Sequence, residues 1–243
     1  MRNVWTVAKR EFNMYFASPV AYAIAFALLL VIGVFFYADL AFSVQSGGAP
    51  QANRTASLFL TLMLFFSPGL TMRLMAEEHR TGTIELLLTA PVREWELVTG
   101  KWLAAFGFVS VLIFVTGIHA LILNQFMVPG LDRGALLAAY VGLFLVTAAT
   151  LAIGVFGSSL FSNQIAAFFT IMAVILLMWI ISYPVQNATG TTAEVVKNLD
   201  FSNRFYNNFF NGVIDLSDFI YFVSVVVFFL FLAARSVESR RWR

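Results

Sequence analysis

Six apolar runs, at 19–42, 58–75, 102–123, 135–160, 165–183 and 214–234, alternate with short polar interruptions along the chain. Each equals or approaches the ~20 residues a helix needs to cross ~30 Å of hydrocarbon. The fourth and fifth runs are parted only by Phe161-Ser162-Asn163-Gln164, room for a tight polar turn and little else. The last is the shortest, and its helix is expected to begin near Ile214. The pattern predicts an all-α integral membrane protein, a single six-span transmembrane domain over 1–243. Five spans, or one re-entrant segment, is the competing count.

Finer patterning adds detail at both ends. In 1–18, Trp5, Ala8, Phe12, Tyr15 and Phe16 recur at helical spacing, with Arg2, Lys9, Arg10 and Glu11 at polar positions. That is an interfacial amphipathic helix; a plain juxtamembrane anchor fits it equally well. Pro68-Gly69 is expected to kink the second span, because proline removes a helix hydrogen bond. The fourth span collects Gly142, Ala148, Ala149, Ala152, Gly154, Gly157 and Ser158, a composition suited to close helix packing. The stretch 184–217 is a long external segment. Its Phe201, Phe205, Tyr206, Asn207, Asn208, Phe209 and Phe210 suit short helices at the outer interface, or dipping into it, before the sixth span.

Composition supports the membrane assignment. The chain is 60% hydrophobic, with 27 Phe, and only 12% charged. Soluble domains sit near 45–50% apolar and 25% charged, and a soluble fold of 243 residues could not hide so much apolar surface. The first run is too long for a signal-peptide core, so no cleavable signal is expected. Net charge is +2, too small to argue for nucleic acid, but its distribution is informative. Arg2, Lys9, Arg10, Arg73, Arg80, Arg93, Lys101, Arg235, Arg240, Arg241 and Arg243 fall on one side of a six-span topology. Only Arg54, Arg133, Lys197 and Arg204 fall on the other. Eleven against four places both termini and the 77–101 loop in the cytoplasm.

Candidate chemistry is sparse. Cysteine is absent, which removes disulfides, thiolate nucleophiles and Cys-based metal sites. There is no HExxH, GxSxG or paired-acid arrangement within a span, so no catalytic residues are assigned. His119 has no His or carboxylate at i±3 or i±4, so no metal site is assigned either. Ion-coupled carriers bury ionisable groups at mid-membrane, where each costs roughly 2.5–3.5 kcal/mol on insertion scales; these spans carry almost none. Gly100-Lys101 imitates the end of a phosphate loop, but Trp95 stands where its first glycine belongs and Trp102 where a Ser/Thr would meet magnesium. No cofactor-binding residues follow.

The densest charge lies in "EEHRTGTIELLLTAPVREWELVTGK", residues 77–101. Thr83 is a candidate N-cap, with Glu85 in the first turn favoured by the helix dipole. Ile84, Leu87 and Leu88 share one face, and Pro91 ends the element. A short cytoplasmic helix between the second and third spans is expected, able to press into a groove on a soluble partner. Periodicity alone fits an inert interfacial connector as well.

"EEHRTGTIELLLTAPVREWELVTGKW" resembles the first cytoplasmic loop of permease subunits of type 2 ABC exporters, in its Gly-Thr-Ile-Glu-Leu-Leu core, proline and Gly-Lys exit. "VAKREFNMYFASPVAY" is similar to that family's amphipathic helix ahead of the first span. "FYNNFFNGVIDLSDFIYFVSVVVFFLFLAAR" is similar to the closing region of the gliding-motility-type permeases. The resemblance implies a non-catalytic permease subunit in the inner (cytoplasmic) membrane. It would pair with a second copy or a related permease chain, over an ABC ATPase subunit dimer that binds the ATP and Mg. By position it implies a coupling helix made of Thr83, Ile84, Glu85, Leu87, Leu88 and Thr89, flanked by Glu77, Glu78 and Arg80. The uncharged turn 161–164 departs from the tidy family pattern, and a second ATPase contact there does not follow. The competing function is a membrane scaffold that anchors a soluble or surface complex and transports nothing.

Overall fold

The computed structural model describes residues 2–47, 50–51, 53–82, 93–126 and 130–240. Among these it is all helical: α1 (Arg2–Ala17), α2 (Pro19–Ser46), α3 (Asn53–Thr71), α4 (Ala76–Thr81), α5 (Glu94–Phe126), α6 (Arg133–Leu160), α7 (Gln164–Ile180), α8 (Thr191–Leu199), α9 (Phe201–Asn207) and α10 (Leu216–Arg240). Short 3-10 turns at Tyr183–Val185 and Phe209–Asn211 complete it. Six segments are long and apolar enough to cross a membrane: Pro19–Ser46, Asn53–Glu78, Glu94–Gln125, Arg133–Leu160, Gln164–Val185 and Leu216–Ser239.

The ends of these helices follow from local chemistry. Pro19 opens α2, where its missing N–H and fixed φ are tolerated. Gly47, at φ 68°, closes the same helix in the left-handed conformation that glycine takes most easily. The Asp132 carboxylate accepts from the Gly134 and Ala135 amides to cap α6, and Asn163 accepts from Ile165 to cap α7. Asn163 thus starts a new helix within the short turn after α6. Pro68 lies inside α3, which continues past it to Thr71. The Met72 amide still reaches the Pro68 carbonyl at 2.8 Å, and the Thr71 hydroxyl takes the Ser67 carbonyl at 2.7 Å. The break comes after Thr71, in the turn leading to α4.

α6 is the hub, packed against α3, α5, α7 and α10. Its glycines explain how. A Cβ at Gly154 would come within 2.2 Å of the Thr71 hydroxyl, one at Gly157 within 2.4 Å of Ile171, and one at Gly142 within 2.5 Å of Phe209. Neighbouring helices and a capping turn therefore approach where side chains have been removed. The alternation of the chain is visible at both ends. Thr71, ending α3, meets Gly154 late in α6, and Ser236 late in α10 reaches the Ser159 carbonyl. At the opposite end Asn53, starting α3, donates to the Phe210 carbonyl at 2.7 Å.

That opposite end is closed by the 184–217 segment, whose aromatic side chains turn into the bundle. Phe201, Phe205 and Phe209 are completely buried, Phe201 and Phe209 against Phe222. The hydrophilic residues among them fasten this plug. Asp200 caps α9 through the Asn203 amide and accepts from the Ser182 hydroxyl; buried Asp218 pairs with Arg204 and accepts from Asn208 at 2.6 Å.

Candidate functional site

The element expected to matter most, 83–92, lies outside the described residues, and with it Thr83, Ile84, Glu85, Leu87, Leu88 and Thr89. The structure does describe the frame from which that segment springs. On one side is α4, which carries Glu78 and ends at Gly82 with φ 71°, a left-handed C-cap. On the other is the start of α5. There the Arg93 amide donates to Glu96 Oε2 at 3.0 Å, while the Glu96 amide reaches back to the Arg93 carbonyl at 2.9 Å. The acidic first turn of α5, Glu94 and Glu96, suits the positive end of the helix dipole. At 33 residues and ~1.5 Å each, α5 is about 50 Å long, against ~30 Å of hydrocarbon. Its charged beginning therefore stands in the interface.

α1 grips both sides of this frame. It lies along the first half of α5 because Gly100 and Gly107 leave room: a Cβ on Gly100 would sit 2.8 Å from Val7, and one on Gly107 3.2 Å from Phe12. Asn3 donates its amide to Glu96 Oε2 at 3.1 Å, tying the start of α1 to the start of α5. Further along, Lys101 Nζ sits 3.1 Å from Glu11 Oε1 and 2.8 Å from Glu78 Oε1. One ammonium thus joins α1, α4 and α5, and Lys101 is only 2% exposed. Tyr15 adds a fourth attachment. It stacks on Phe108 at 5.1 Å and donates its hydroxyl to the Leu70 carbonyl at 3.0 Å, near the end of α3. Burial, reinforced by the Glu11 carboxylate, pushes the Tyr15 phenol well above its ordinary value, so it remains a donor at physiological pH.

Of the residues expected from sequence, the flanking Glu77, Glu78 and Arg80 are in view: Glu77 and Arg80 are exposed, and Glu78 belongs to this three-charge clasp. Glu11 corrects the reading of 1–18. It was assigned to the polar positions, yet it is 7% exposed, on the same face as buried Ala8 and Tyr15, while Trp5 is turned outward. The signal was present: Ala8, Glu11 and Tyr15 fall at i, i+3 and i+7, one stripe of a helix. Lys101 is enclosed by helices rather than solvated. The Gly100-Lys101 pair that imitated a phosphate loop lies inside α5, the glycine admitting α1 and the lysine pairing with it. Among the described residues no group of three His, Cys, Asp or Glu could hold a metal. The arrangement binds helices together; it offers no hydrolytic chemistry.

The family model described as ABC-2 family transporter protein matches residues 42–233. The chain belongs to that family. It is a multi-pass transmembrane permease of an ABC transporter. ABC-2 permeases normally work with an ATPase partner. The matched residues include Glu78, Lys101 and the whole 83–92 segment, whereas Glu11 and the rest of α1 precede them. No curated protein matches the chain.

Proposed function

We propose that this ABC-2 permease couples ATP hydrolysis by a separate ATPase subunit to movement of substrate across the cytoplasmic membrane, through the 83–89 segment. Thr83 caps that helix, Ile84, Leu87 and Leu88 seat in the ATPase, Glu85 and Thr89 lie at its two ends, and Glu78 anchors its base. The supporting observation is the frame: both ends of the segment are tied to α1 and α5, so a push on it moves two long helices together. Two copies, or two related chains, form the transmembrane unit. Both termini face the cytoplasm, following the basic-residue asymmetry. ATP and Mg bind the ATPase dimer. The closing region at 206–235 supports the gliding-motility subtype.

The test is capture of the ATPase subunit by the permease in mild detergent, at matched membrane levels. A buried Leu contributes ~1.5–3 kcal/mol, and a charge in its place costs more. Leu87→Asp should therefore weaken ATPase association by about tenfold or more. Undiminished capture with normal transport would reduce the segment to a connector and favour the scaffold.

A further inference from the structure

Between α1, the end of α3 and α4 lies a cavity of about 640 Å³, within the roughly 300–1,000 Å³ range of small-molecule sites. Its ionisable lining consists of three cations (Arg10, Arg73, Lys101) and three carboxylates (Glu11, Glu77, Glu78). These do not simply cancel. Lys101 is taken up by Glu11 and Glu78. Arg73 donates to the Ser18 hydroxyl at 3.4 Å, and neither it nor Arg10 pairs with a carboxylate among the described residues. The Glu77 carboxylate has no cation partner there either, and Glu78 Oε2 is buried without a hydrogen-bond donor. Two guanidiniums without a paired carboxylate, Arg10 within electrostatic reach of Glu78, thus share a cavity with a carboxylate oxygen, Glu78 Oε2, that lacks a donor, beside an apolar wall of Met14, Leu70 and Leu74.

The position of the cavity narrows its occupant. α1 runs directly into the first span at Pro19, and Leu70 and Leu74 belong to the second, Asn53–Glu78. The cavity therefore opens at headgroup depth of one leaflet. We propose that it binds the headgroup of a phospholipid carrying a primary amine, the phosphatidylethanolamine class. The phosphate lies between Arg10 and Arg73, where guanidinium geometry suits it. The ammonium donates to Glu77 and to Glu78 Oε2, supplying the donor that oxygen lacks, and the acyl chains leave along Met14, Leu70 and Leu74. A choline headgroup has no N–H for Glu78, and a glycerol headgroup has no cation for either carboxylate. The bound lipid would touch Glu78 directly, making the Glu11–Lys101–Glu78 clasp responsive to the bilayer whether or not the 83–89 segment contacts an ATPase.

The experiment is native mass spectrometry of the full chain, released from detergent with equal amounts of phosphatidylethanolamine, phosphatidylcholine and phosphatidylglycerol of matched acyl chains. Expected is retention of one phosphatidylethanolamine per chain, with an affinity roughly tenfold above the other two, the weight of one charge-assisted contact. Arg10 and Glu77 are both exposed, so their substitution leaves the core intact. Arg10→Gln should weaken all three lipids, while Glu77→Gln should narrow the preference for ethanolamine over choline to what Glu78 Oε2 alone supplies and keep phospholipid binding. Equal retention of the three lipids would overturn the proposal, as would wild-type selectivity in both variants. A preference for phosphatidylglycerol would reduce the guanidiniums to a general anion-binding patch and overturn the proposal. Soluble glycerophosphoethanolamine binding as tightly as the lipid would make the ligand a free headgroup and overturn the lipid assignment.

Discussion

Replacing Lys101 by Met keeps the length and apolar body of the side chain and removes the single cation between two carboxylates. The structure fixes what that should cost. The Lys101 side chain is 3% exposed, Glu11 9% and Glu78 17%, so water replaces the ammonium only in part. Breaking a buried pair by deleting one partner costs about 3–5 kcal/mol, mostly the penalty of the charge left behind. Two carboxylates are left here, at 2.8 and 3.1 Å from the vacated position, which favours the upper end of that range. At roughly 2–4 °C per kcal/mol for a chain of this size, the melting midpoint in detergent should fall by roughly 6–20 °C. The triple change Glu11→Gln, Lys101→Met, Glu78→Gln removes every charge at once, and replacing a whole buried network is commonly neutral or stabilising. It should recover most of the lost midpoint. Scanning fluorimetry on the wild type and the two variants checks both statements. A single variant as stable as wild type, or a triple variant no better than the single, would refute the clasp as a buried electrostatic unit.

Other consequences are equally direct. Gly154→Leu should destabilise the purified protein by about 1–3 kcal/mol or more, because its Cβ meets Thr71 at 2.2 Å, whereas Gly33→Leu, with nothing within 4 Å, should be near neutral; thermal melts compare them. Single cysteines at exposed Ser46 and Thr191 should react with an impermeant maleimide in intact cells, and those at exposed Thr81 and Ser239 should not. Labelling of Thr81 from outside would reverse the proposed orientation. Asp218→Ala should cost about 3–5 kcal/mol by stranding Arg204 in the plug, and limited proteolysis within 184–217 should accelerate accordingly.

The spans were legible because the bilayer imposes a length and a composition that local sequence must satisfy unaided. Small residues in the fourth span pointed to close packing, and the structure supplies the neighbours: Thr71 at Gly154, Phe209 at Gly142, Ile171 at Gly157. The clasp was not legible, because Glu11, Glu78 and Lys101 come from three separate segments. A charge on an amphipathic helix looks like a surface position until the partner that neutralises it is known. Only the period of Ala8, Glu11 and Tyr15 hinted otherwise. The 184–217 plug was half legible: its aromatic and amide mixture announced short helices, but not that Phe201, Phe205 and Phe209 would be withdrawn entirely into the bundle.

Buried charge in the described residues gathers at the two ends of the bundle, Glu11–Lys101–Glu78 at one and Arg204–Asp218 at the other. Between them the spans rely mainly on small-residue contacts, hydroxyls bonded to their own helix, as Ser110 to Phe106 and Thr150 to Thr147, and aromatic pairs, with neutral hydrogen bonds from α5 to α6 (Trp102 to the Ala148 carbonyl, Thr116 with Tyr140) as exceptions. Such contacts are short-ranged and weakly directional, so helices can slide over them at little electrostatic cost. The ion pairs differ: separating either within the protein strands a charge at several kcal/mol. A bundle built this way resists being pulled apart at its ends and yields in its middle. Under the proposed coupling, a force applied at 83–89 would reach α1 and α5 through Lys101 and Glu96 without loss. It would be expressed as relative motion of the spans around α6, where no charge holds them in one register.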